Sequence, residues 1–158
     1  LQMKKICKKQ NSTLLPVFQI LGINYRNLQF SARFHDTERR NESFVKADFI
    51  YDNSVASIKI GNGVKSEGEL VISGTKGYIY VPAPWWKTDY FEIRYENPID
   101  NQRYFYQLDG EGIRYELVAF AGNVQNKKKE ANIDWDITKE VAKVIGGFNN
   151  GIPTFEIK

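Results

Sequence analysis

Apolar and polar residues alternate with period two through much of the first two thirds of the chain. In RNLQFSARF, Leu28, Phe30, Ala32 and Phe34 alternate with Asn27, Gln29, Ser31 and Arg33. One face of that strand belongs in a core and the other against water. FVKADFIY repeats the pattern, setting Val45, Ala47, Phe49 and Tyr51 against Phe44, Lys46, Asp48 and Ile50. Further strands are predicted at SVASIKI, VKSEGELVIS, GYIYV, YFEIRYE and RYFYQL. Between them lie turn signals: Asp52-Asn53, the glycines Gly74 and Gly77, and NPIDN. Strands joined by such short turns pair antiparallel, because parallel neighbours need long crossovers.

The period changes at both ends of the chain. STLLPVFQILG carries Leu14, Val17, Phe18 and Leu21 at i, i+3, i+4 and i+7, the stripe of a short helix. Ser12 or Thr13 is its expected cap, Pro16 is expected near its first turn, and Gly22 suits its end. Two more helices are predicted after the strands. One carries Ile113, Leu117, Phe120, Ala121 and Val124, and the other Ile137, Val141, Val144, Ile145 and Phe148. Asp109 and Asp136 are their candidate caps. A helix, a run of strands, then helices reads as α+β. The expected architecture is an open, mainly antiparallel β-sheet of about six to seven strands with helices packed on one face. Residues 1–13 are expected to form a basic, poorly ordered tip, and 14–158 a single domain.

Composition narrows the function classes. The 158 residues are 42% hydrophobic and 26% charged, as in a globular chain. The net charge is +3, but Lys4, Lys5, Lys8 and Lys9 supply more than all of it, and the remainder is slightly acidic. The basic character is confined to the tip, and Lys127 to Lys129 read as a solvated loop, so no nucleic-acid partner is expected. A single cysteine, Cys7, excludes an internal disulfide and fits a reducing, cytoplasmic compartment. One histidine, His35, and no CxxC or HExxH spacing leave no metal site to expect. No run is long and apolar enough to predict a membrane span.

Chemistry-bearing motifs are few. GNGVKS, Gly61 to Ser66, lacks a third glycine and joins two predicted strands, so it reads as a hairpin turn. The carboxylates, among them Glu67, Glu69, Asp109, Glu111 and Glu116, are accounted for by solvation or capping. No catalytic residue and no cofactor site is assigned in this chain. PAPWWKTDYF is more distinctive, because tandem tryptophans between prolines and a charged segment are costly to leave in water. They can close the end of a core, line a sugar pocket or anchor a subunit contact. One reading is therefore a stand-alone sheet-based binding or scaffold module with an aromatic ligand platform.

A second reading rests on GELVISGTKGYIYVPAPWW and GEGIRYELVAF. Together they resemble the C-terminal domain of the glucose-fructose oxidoreductase / inositol dehydrogenase (Gfo/Idh/MocA) family. The pattern there is a strand, G-T-x-G, a strand, a proline-aromatic loop, more strands, and G-x-G-x-x-Y-E opening a helix. The matching residues are Gly74, Thr75, Gly77, Pro84, Trp85, Trp86, Gly110, Gly112, Tyr115 and Glu116. The resemblance extends from about Leu14 to Phe148. It implies a substrate-binding and oligomerisation domain of an NAD(P)-dependent sugar-type oxidoreductase, with NAD or NADP carried by an N-terminal Rossmann domain as partner. It also implies homo-oligomer contacts through the open sheet face, to which Tyr90, Arg94 and Phe105 are assigned. The stretch contains neither a Rossmann half nor the family's Glu-Lys-Pro lysine. Lys8 to Ser12 stand where the family's helix carries its polar catalytic groups. Activity of this stretch alone is therefore not expected. The candidates for substrate contact are Trp85, Trp86, Lys87 and Tyr115. Tyr115 is expected to serve structure first, tying its helix to the sheet near the tryptophans.

Overall fold

The computed structural model describes residues 7–36, 41–62, 64–65, 67–107, 109–110, 112–127, 133–150 and 152–157. Lys4, Lys5, Lys128, Lys129 and Gly63 lie outside the described residues. The chain divides into two compact units, Leu1–Ser66 with Ala131–Lys158, and Glu67–Glu130. The α+β class and the mainly antiparallel pairing agree with the sequence. The strands, however, form two sheets of four and not one open sheet.

The first unit contains helix α1 (Cys7–Leu21), strands β1 (Asn27–Phe34), β2 (Glu42–Ile50) and β3 (Val55–Gly61), helix α3 (Trp135–Asn150) and strand β8 (Thr154–Glu156). Its sheet has the order β3-β2-β1-β8. β1 to β3 pair antiparallel, whereas β8 returns through α3 and lies parallel to β1. The period-two residues meet across the sheet as expected, with Phe30 opposite Ala47 and Ala47 opposite Ile58. Leu14 and Phe18 of α1 and Val141 and Val144 of α3 cover that face, with Phe49 fully enclosed among them.

Helix α1 starts five residues before the predicted cap, at Cys7, inside the stretch expected to be a loose tip. Pro16 is consequently interior to the helix. A proline there costs about 3 kcal/mol. Burying Leu14 and Phe18 on either side of it contributes roughly 1.5–3 kcal/mol each, enough to keep the helix continuous. Gly22 ends the helix as predicted, at φ +78° with its N–H on the Phe18 carbonyl at 3.0 Å. α3 is capped by Asp134 and not by Asp136, since the Asp134 Oδ1 accepts the Asp136 N–H at 2.8 Å.

The second unit is an antiparallel meander of β4 (Leu70–Ser73), β5 (Gly77–Val81), β6 (Tyr90–Tyr95) and β7 (Gln102–Phe105), followed by helix α2 (Ile113–Gln125). Gly74 and Gly77 close the β4–β5 turn through a 2.8 Å backbone bond. GNGVKS is not a hairpin turn, because β3 and β4 belong to different sheets. α2 also departs from expectation. Its stripe of Ile113, Leu117, Phe120 and Val124 is more than 60% exposed at each position. The less exposed positions, Ala119, Gly122 and Asn123, lie on the opposite side of the helix.

Candidate functional site

The proline-tryptophan loop leaves β5 and turns through a single 3₁₀ turn, Trp85–Lys87. Proline at 82 and 84 denies this segment two backbone donors, so it cannot extend the sheet. A bond from the Trp85 N–H to the Gly68 carbonyl, at 2.9 Å, ties the loop back to the approach to β4. Gly68 has φ +70°, so this position needs glycine for its conformation, while a Cβ there would meet Ala83 and Trp86 only at ordinary contact distance. The two indoles meet edge to face at 6.0 Å. Trp85 is partly covered, whereas Trp86 is 61% exposed. Lys87 ends the turn, adding a cation beside an open aromatic face.

Tyr115 lies in the first turn of α2 and is 40% exposed. Its hydroxyl accepts the Asp109 N–H at 2.8 Å. The tie therefore runs from the helix to its own entry loop. Asp109 does not cap α2. Its carboxylate pairs instead with Arg114, and Gly112 occupies the cap position at φ +84°.

A second constellation was legible in the sequence but not picked out as a group. YFEIRYE places Tyr90, Glu92 and Arg94 on one face of β6, and the register sets Tyr78 and Tyr80 on one side and Arg103 and Phe105 on the other. Tyr90, Arg94 and Phe105 thus share a face, as expected. Glu92 is buried between the two arginines, taking Arg94 Nε at 2.6 Å and Arg103 Nε at 2.8 Å. The hydrogen bonds from Arg94 and then Arg103 hold its carboxyl below the usual carboxylate range. Arg94 lies over the Tyr80 ring at 4.4 Å and Arg103 over the Tyr90 ring at 4.9 Å. The Tyr80 hydroxyl is pushed up, first by its hydrogen bond to Glu69. The result is an aromatic surface in which one carboxylate is held between two guanidinium groups. The opposite face carries Leu70, Ile72, Ile79, Val81, Phe91 and Ile93.

Among its described residues, the first unit offers no comparable site. A cavity of about 10 Å³ lies between its helices and sheet, lined by apolar residues such as Leu14, Phe30, Ile60 and Phe148. That volume holds at most a water-sized probe. Its polar cluster is structural: the Tyr25 hydroxyl donates to Glu140 Oε1 at 2.6 Å, and Lys143 bridges both Glu140 oxygens. Burial, then that hydrogen bond, raises the Tyr25 pKa well above the usual tyrosine value. Among the described residues, no group of three or more His, Cys, Asp or Glu could hold a metal ion, and no helix is long and apolar enough to cross a membrane.

The opening of α2 is a poor seat for a pyrophosphate. Pyrophosphate binds at a helix N-terminus freed of negative charge. At the opening of α2, next to Gly110 and Gly112, stand the carboxylate of Glu116 and that of Asp109, the latter paired with Arg114.

No family model and no curated protein matches the chain. Solved structures do. The 3-ketoreductase KijD10 from Actinomadura kijaniata, in complex with TDP-benzene and NADP, superposes with a TM-score of 0.77 at 10% identity, over 98% of this chain and 49% of that one. Biliverdin reductase from Synechocystis sp. PCC 6803, in complex with biliverdin and NADP+, gives 0.65 at 12% identity, over 85% and 42%. The chain spans about half the length of the structures it matches. At these identities the likeness is one of fold alone.

Proposed function

We propose that the chain is the substrate-binding and oligomerisation domain of an NAD(P)-dependent oxidoreductase acting on a sugar-type substrate. The observation that carries this reading is the match of nearly the whole chain to half of a reductase bound to NADP and TDP-benzene. The ordered glycine, proline-tryptophan and Gly-x-Gly-x-x-Tyr-Glu motifs support it independently. In this reading a separate Rossmann half brings the cofactor, which supplies hydride. This chain supplies shape and orientation. Trp86 presents an open ring on which the apolar face of a sugar can stack, with Trp85 bracing it and Lys87 offering a donor to hydroxyl or phosphate oxygens. Tyr115 fixes the helix start and can add one hydroxyl. The aromatic face around Glu92, Arg94 and Arg103 suits contact with a second copy, since tyrosine and arginine are enriched in such interfaces.

The stand-alone binding module differs from this in one measurable respect. A module of that kind binds its ligand unaided, whereas the proposed domain needs the cofactor half to complete the pocket. Titration of sugars and nucleotide sugars against the isolated chain, followed by tryptophan fluorescence, separates them. Binding no tighter than millimolar supports the proposal. Saturable micromolar binding abolished by Trp86→Ala favours the module.

A further inference from the structure

We draw no further inference here: the strongest candidate, the tyrosine and arginine face of β6 around Glu92, belongs to the contact surface already described, and nothing in the structure shows what else would cover it.

Discussion

Substituting Gly77 by alanine probes the hairpin that positions the tryptophan loop. A Cβ built there lies 2.5 Å from the Arg94 carbonyl oxygen and 3.3 Å from both the Arg94 carbonyl carbon and the Tyr95 Cα. All three are backbone atoms of β6, fixed by the pairing of Gly77 with Tyr95 and Tyr78 with Arg94. No side chain can swing away, so relief requires β5 to part from β6 by nearly 1 Å. Overpacking of that kind costs about 1–3 kcal/mol. Loss of a weakened ladder bond adds about 1 kcal/mol. The reduced freedom of the unfolded chain returns about 0.4–1 kcal/mol. The net expectation is a loss of about 2–3 kcal/mol. Gly74→Ala is the control, since its nearest atom, the Gly77 carbonyl oxygen, is at an ordinary 3.4 Å. That change should stay within about 0.5 kcal/mol of the parent. Urea unfolding followed by tryptophan fluorescence reads the difference, because Trp85 and Trp86 both lie in this unit. With a slope of about 2 kcal/mol per molar urea, the midpoint for Gly77→Ala should fall by about 1 M. If the two variants unfold together, the close strand approach is not what demands glycine at position 77.

Three further outcomes are expected. Tyr115→Phe removes only an accepted hydrogen bond and should cost about 0.5–1 kcal/mol, and Tyr115→Ala about 1–2 kcal/mol, less than a buried aromatic because the ring is 40% exposed; denaturant titration checks both. Tyr25 has its pKa raised in the folded state, so its contribution is complete below the ordinary tyrosine pKa of about 10 and is lost as pH rises through the higher folded value; melting temperatures from pH 9 upward should fall for the parent and less steeply for Tyr25→Phe. Titrating NADH and NADPH against the isolated chain should give no saturable change in fluorescence or melting temperature, because the opening of α2 is a poor seat for a pyrophosphate, and micromolar saturation would refute that reading.

Local periodicity carried most of the fold. The faces of β1 and β2, the buried stripe of α3 and the Gly22 stop were legible because each is set by neighbours three, four or two positions away. What was not legible depends on distant parts of the chain. β8 has only three residues, and its parallel place beside β1 is decided by the path of α3. The amphipathic stripe of α2 announced a helix but not that the stripe would stand exposed. The start of α1 could not be read because Pro16 disfavours it locally, and tertiary burial of Leu14 and Phe18 overrides that. For the site, Trp85, Trp86 and Lys87 stand in one turn as their adjacency requires. The Glu92 cluster needed only the period of β6 to put Glu92 and Arg94 together, but the strand register to add Arg103. Tyr25 and Glu140 are 115 positions apart, and no sequence pattern joins them.

The central claim is that this chain is the substrate side of a larger dinucleotide-dependent enzyme. The most direct measurement is NAD(P)H binding by the native species captured from its source with an antibody raised against this chain. The account predicts saturable dinucleotide binding by a species about twice the 18.3 kDa of the chain, or by a complex of two halves. A captured species that consists of this chain alone and binds no dinucleotide would contradict it.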